Sequence, residues 1–307
     1  MAPRVIIALA AVVWLTGCGQ KPTTEIPWAA FSGARAYEQV KQVVSYGPRP
    51  SGSAALSRTA TFLTAQLQEA GLEAEEQVFM AATPHGPVQF RNVVAHTPHS
   101  RGGDGTVVVI GSHYDTKWMT NCTFVGANDG GSSVGVLLEM ARVAASTPNL
   151  WFVFFDGEEA MVEYSPNDGL KGSRFFVETL KGDRHVKWVK AMLLFDMVGD
   201  RSLNVTIPGN STPALVDQLF AAARTTGYRD YFSYRAMPML DDHVPFLDVG
   251  IPAIDIIDFE FGSAPGLNDY WHTDKDTLDK LSPRSLEIVG QAGLRLLDTV
   301  RRGPALR

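Results

Sequence analysis

Four short runs, residues 106–111, 150–155, 189–195 and 252–257, are dominated by Val, Ile, Leu, Met and Phe and show no polar alternation. A strand wetted on one face alternates polar with apolar residues, so runs like these read as strands buried on both faces. Between them, residues 132–145, 169–181 and 212–227 place apolar side chains at helical spacing, and 283–301 closes the pattern with Pro283 in its first turn. Upstream, 34–46 and 53–70 read as helices, and 72–79 and 88–96 as strands joined by a turn at 84–87. Strands alternating with helices imply an α/β fold, here a three-layer α/β/α sandwich around a central mixed, largely parallel sheet. Ligands of such sheets bind beyond the carboxyl ends of the strands.

The residues immediately beyond each strand are therefore informative. The sequence has Ser112-His113-Tyr114-Asp115 after the first buried run, Asp156-Gly157-Glu158-Glu159 after the second, Asp196 after the third, and Asp255 and Asp258 at the last. Two loops add Gly126-Ala127-Asn128-Asp129-Gly130-Gly131 and Tyr270-Trp271-His272-Thr273. Ionised carboxylates resist desolvation unless a cation or donors compensate them, and a metal ion is the usual compensation. Adjacent side chains at a strand end point in different directions, so Glu159 can ligate a metal while Glu158 faces the substrate as a general base. Asp129, Glu159 and His272 offer the three ligands of a catalytic zinc that keeps one position open. Each also has a plainer reading: Asp129 and His272 as helix or segment caps, Glu159 as a solvated acid.

With 307 residues, 45% of them hydrophobic, the chain is long enough for one large domain with a sizeable core. Its 27 Lys and Arg stand against 33 Asp and Glu, a net charge of −6 with no basic cluster, which excludes a nucleic-acid partner. At the N-terminus, Arg4 precedes an apolar run at 5–15 that is too short to span a bilayer and has the shape of a secretory signal. Its end, Leu15-Thr16-Gly17-Cys18, resembles a bacterial lipobox. The expected organisation is a lipoprotein signal peptide at 1–17, lipidation on Cys18, a tether at 18–32 and a single catalytic domain at 33–307. Cys122 then remains as the sole free thiol, read as structural. These features imply an exported, membrane-anchored monomer facing the periplasm, with Gly19 pointing to the outer membrane.

The motifs Ser112-His113-Tyr114-Asp115, Asn128-Asp129, Asp156-Gly157-Glu158-Glu159-Ala160, Asp196 and His272-Thr273 resemble those of zinc-dependent aminopeptidases with a co-catalytic metal pair. The run at 165–174, the run Asp241-Asp242-His243-Val244-Pro245-Phe246-Leu247 and Trp271 before His272 resemble, more narrowly, the glutaminyl-peptide cyclotransferases. That resemblance covers residues 37–299. It implies one zinc per chain on Asp129, Glu159 and His272, Glu158 as proton shuttle, Asp196 beside the substrate amine, and Asp241 in an acidic hydrogen-bond network. Trp271 and Tyr164 would bind substrate, and His113 would stand behind the ligands or hold a second metal. Asp255 and Tyr164 depart from the His and Trp of the animal members, the segment 259–270 is longer, and the paired cysteines near the site are missing, as in a bacterial-type enzyme.

The implied reaction converts the N-terminal glutamine of peptides and proteins to pyroglutamate and releases ammonia. A tethered amine closing a five-membered ring has an effective molarity on the order of 10⁵ M or more, which favours cyclisation over attack by water. The alternatives are a di-zinc aminopeptidase, with His113, Asp129 and Asp196 holding the second ion, and a non-catalytic surface binding module.

Overall fold

The computed structural model of the protein describes residues 25–306 except His99, Arg101, Asp104 and Pro166. Two helices, α1 (Gly33–Val44) and α2 (Ala54–Glu69), come first. Ser32 and Ser53 cap them, each hydroxyl accepting a backbone N–H of the first turn. β1 (Glu73–Thr83) and β2 (Gly86–His96) then pair antiparallel around the two-residue turn Pro84-His85. The hairpin is longer than expected because β1 mixes Glu73, Glu75 and Glu76 with apolar residues, as an edge strand does.

From there strands and helices alternate as the sequence predicts: β3 (Val107–His113), α3 (Ser132–Ala144), β4 (Leu150–Phe155), α4 (Lys171–Gly182) and β5 (Val189–Asp196). After β6 (Val205–Pro208), α5 (Pro213–Thr226), β7 (Phe232–Arg235) and α6 (Val244–Asp248), β8 (Ala253–Ile257) and α7 (Pro283–Arg302) complete the chain. The main sheet runs β1-β2-β4-β3-β5-β8, antiparallel across its first two steps and parallel from β4 to β8. Four carboxyl ends therefore meet on one rim. Alternate residues of the continuous apolar runs serve two cores. Val108, Ile110, Phe152 and Leu193 face α1, α2, α3, α5 and α7, whereas Val107, Val109, Val153 and Leu194 face α4 and α6. The fold is the expected three-layer α/β/α sandwich with a mixed sheet. β6, β7 and α6 escape the sequence reading because four or five residues are too few to establish a period; β6 and β7 form a separate parallel pair.

Residues 25–32 correct one expectation. Placed in the tether by their polar neighbours, they belong instead to the folded body, because two apolar side chains anchor them. Ile26 and Phe31 are buried, the Ile26 N–H donates to Asp298 Oδ1 at 3.2 Å, and Glu25 pairs with Arg295. The Phe31 ring lies over Gly290 of α7, where a Cβ would stand 2.1 Å from it. Cys18, the signal segment and residues 18–24 lie outside the described residues. Among those described, no helix is long and apolar enough to cross a membrane.

Deleting a buried aromatic ring usually costs roughly 3–5 kcal/mol. Phe31→Ala is expected to lower the unfolding free energy by about 3 kcal/mol in a denaturant titration; a loss below about 1 kcal/mol would mean that the segment is not packed.

Candidate metal centre

The rim gathers the acids that the sequence places after each strand. β4 ends at Phe155, and the chain turns through Gly157 so that Glu158 and Glu159 lie buried beneath the rim. The fully buried Asp115, after β3, holds this turn with both oxygens, which accept the Glu158 N–H at 3.2 Å and the Glu159 N–H at 3.3 Å. Asp129 comes from the loop before α3. That loop passes so close to β3 that a Cβ on Gly130, at φ 70°, would meet the Asp115 carbonyl at 2.5 Å and the His113 ring at 2.9 Å. Only glycine fits both that φ and that contact.

His272 closes the set from the far end of the chain. Its Nε2 lies 2.9 Å from Glu159 Oε1 and 3.3 Å from Asp129 Oδ2. Asp129, Glu159 and His272 each offer a ligand atom within 4.8 Å of the others, as does a second group, His113, Asp129 and Asp196. The three predicted ligands thus converge. Buried Asp129 Oδ2 receives no hydrogen bond, as an oxygen reserved for a cation should. Two carboxylates and an imidazole also suit zinc chemically. Burial opposes charge on His272, but the Asp129 and Glu159 carboxylates that face its ring override it and lift its pKa to about 10. Burial likewise opposes charge on Asp129, yet the His113 and His272 rings hold its carboxyl below the usual range.

Glu158 is left beside the ligands and outside both ligand groups. Burial, reinforced by Glu159, Asp242 and Asp115 against the opposing pull of His113, holds its pKa well above that of an ordinary glutamate. The Tyr164 hydroxyl lies 3.1 Å from each of its oxygens and 3.4 Å from Glu159 Oε2, within reach to donate to either residue. His113 is enclosed by acids: its Nε2 is 3.1 Å from Asp196 Oδ1 and 3.2 Å from Asp129 Oδ1, with Asp115 behind its Nδ1 at 3.4 Å. Asp241 is buried, and after burial the charges of Asp255, Asp196 and Glu158 contribute most to its raised pKa. Trp271 stacks on His272 with ring centroids 3.8 Å apart, and Phe124 meets the same ring edge-on at 5.6 Å. Cys122 is half-buried.

Sequence reasoning assigned no role to Asp115, although it stands two residues after His113, the spacing that puts extended neighbours on one side. It also missed Lys117, whose Nζ lies 3.8 Å from Glu159 Oε2 and over the Tyr164 ring, together with Arg49 and Asp276, which no local pattern marks.

The pattern of Peptidase family M28 matches residues 92–297. The glutaminyl-peptide cyclotransferase of Gloydius blomhoffii is 30% identical over 262 residues, spanning 70% of this chain and 68% of its own. The crystal structure of an Acidobacteriales bacterium glutaminyl cyclase superposes with a TM-score of 0.82 at 35% identity, covering 96% of this chain and 100% of that one. A Zn-dependent exopeptidase from Parabacteroides distasonis superposes with a TM-score of 0.77 at 26% identity, covering 89% and 99%.

Because His272 keeps its proton up to about pH 10 in the metal-free site, zinc must displace that proton to bind at neutral pH. Calorimetry at pH 7 in buffers of different ionisation enthalpy is expected to show at least one proton released per zinc, with affinity rising about tenfold per pH unit between pH 6 and 8. An affinity independent of pH would contradict this.

Proposed function

The chain belongs to peptidase family M28 and, within it, to the glutaminyl cyclases, and from that membership we propose that it converts the N-terminal glutamine of peptides and proteins to pyroglutamate with release of ammonia. The observation that carries the reading is Glu158: a buried titratable acid beside three candidate ligands yet outside both ligand groups, with the Tyr164 hydroxyl within hydrogen-bonding distance. A buried acid whose pKa is raised above its ordinary value is suited to take up and return a proton.

Asp129, Glu159 and His272 would hold the zinc, which supplies Lewis-acid polarisation of a substrate carbonyl. Asp196 orients the α-amine of the bound glutamine. The amine nitrogen forms a bond to the side-chain amide carbon, closing a five-membered ring, and the bond from that carbon to the amide nitrogen breaks. Glu158 takes one proton from the attacking amine and returns it to the departing nitrogen, which leaves as ammonia. Asp241 steadies this exchange through the buried acids around it, and the flat face of Trp271 walls the pocket. The proposed setting is the periplasmic side of a bacterial envelope, with the chain anchored through Cys18; the lipobox-like Leu15-Thr16-Gly17-Cys18 supports it.

One observation favours a second reading. His113, Asp129 and Asp196 form a second donor group that shares Asp129, the arrangement a two-metal aminopeptidase would need. A binding module without catalysis would be expected to have lost one of Asp129, Glu159, His272 or Glu158, and all four stand in the sequence.

Mass spectrometry separates these readings. The zinc-loaded chain is expected to remove ammonia from a Gln-initiated peptide and to leave a Leu-initiated one intact, and Glu158→Gln is expected to lower that turnover at least 100-fold while zinc stays bound. Stepwise trimming of the Leu-initiated peptide would select the aminopeptidase.

A further inference from the structure

Asp276 lies four residues beyond His272, fully buried, with its carboxylate turned toward another part of the chain. Its Oδ1 accepts the Asn128 N–H at 2.7 Å, its Oδ2 accepts the Asp129 N–H at 3.1 Å, and its carbonyl accepts the Ala127 N–H at 3.4 Å. Three successive N–H groups of the loop that carries one ligand thus end on the residue that closes the segment carrying another. The Thr273 carbonyl accepts the Asp276 N–H at 3.3 Å, so the stretch from His272 to Asp276 is itself folded into a turn.

Arg49 grips the same loop by its other polarity. Buried completely, it donates to the carbonyls of Val125 at 2.7 Å, Gly126 at 3.1 Å and Tyr114 at 3.2 Å. His272 is held at φ 55°, a left-handed conformation that a non-glycine residue keeps only where its surroundings impose it. Neither Asp276 nor Arg49 belongs to a ligand group.

We propose that Asp276 is a positioning residue that fixes Asp129 and His272 at the separation the cation requires, so that a carboxylate which never touches the ion sets the affinity of the centre for zinc. Asp129 and His272 lie 143 positions apart in sequence, and each is carried on a loop rather than within a strand or helix. Without a direct tie, their separation would depend on how two loops settle independently. The carboxylate of Asp276 provides that tie, since both of its oxygens are committed to the backbone of the Asp129 loop. The inference rests on Asp129, Glu159 and His272 being zinc ligands; it does not depend on which reaction the centre carries out.

Asp258 supplies the control for a merely structural role. It too is fully buried and accepts two backbone N–H groups, from Asn204 at 2.8 Å and Glu260 at 3.0 Å, but neither belongs to the Asp129 loop or to the turn from His272 to Asp276. Asp276→Asn keeps the shape of the side chain while turning an amide N–H₂ toward a backbone N–H; Asp258→Asn makes the same change away from the centre. Zinc affinity is measured by chelator competition, and ligand geometry by the visible spectrum of the cobalt(II)-loaded chains. The expected result is a zinc affinity 10- to 100-fold weaker in D276N with altered cobalt bands, and an affinity within twofold of the unaltered chain in D258N even if D258N melts earlier. A loss smaller than tenfold in D276N, or an equal loss in D258N, overturns the proposal. Should D276N not fold, Asp276→Glu, which keeps the charge but displaces it by a methylene, is held to the same thresholds. An unaltered chain that takes up no zinc would instead remove the ligand assignment itself, and this inference with it.

Discussion

The structure depends on how a large excess of buried carboxylate is compensated at one end of a parallel sheet. Asp115, Asp129, Asp156, Glu158, Glu159, Asp196, Asp241, Asp242, Asp255 and Asp276 are all buried there, and the fully or largely buried cations near them include Arg49, His113, Lys117 and His272. Ionised carboxylates cannot remain in such an environment uncompensated. Three devices answer this. Asp115 and Asp276 each accept a pair of backbone N–H groups with the Arg49 charge nearby, although burial still lifts the Asp276 pKa to about 7. Asp241 and Asp255 are shifted toward the neutral form, because burial and neighbouring acids raise their pKa values. Asp129 and Glu159 face His272, whose raised pKa reflects their charges, in a geometry that suits a divalent ion.

This division links fold to chemistry. The parallel strands deliver His113, the Glu158-Glu159 pair and Asp196 to one rim, and the two carboxylates that accept backbone N–H groups fix the loops between them. Glu158 then differs from Glu159 by surroundings rather than by type. Glu159 faces His272, whereas Glu158 faces the Tyr164 hydroxyl and keeps a proton-transfer role open. Two identical side chains thus acquire different surroundings from a single turn of backbone.

Much of this was legible in the sequence because it arises from periodicity. Runs such as Leu150–Phe155 could only be doubly buried strands, and the rule that ligands gather at their carboxyl ends is enough to put Glu158, Glu159 and Asp196 on one rim. Asp129 and His272 could be offered as ligands by residue type and by the rim they border, and the resemblance to known motifs strengthened the set, but nothing local requires two distant loops to meet. The hidden contributions act through the backbone. Asp276 and Asp115 bind N–H groups that every residue except proline carries, so no side-chain pattern betrays their partners. Arg49, set between two prolines in a loop, looks like surface and is instead fully buried. The tether was misjudged for the converse reason: Ile26 and Phe31 are only two apolar residues, too few to form a pattern, yet α7 offers the surface that buries them.

The central claim is that a divalent ion completes this acidic rim at Asp129, Glu159 and His272. Anomalous diffraction at the zinc edge from crystals of the zinc-loaded chain tests it most directly. The account predicts a peak bounded by those three side chains, each within zinc-bond distance of about 2.0–2.2 Å. A fully loaded chain with no peak among them, or with its zinc held elsewhere, would contradict it.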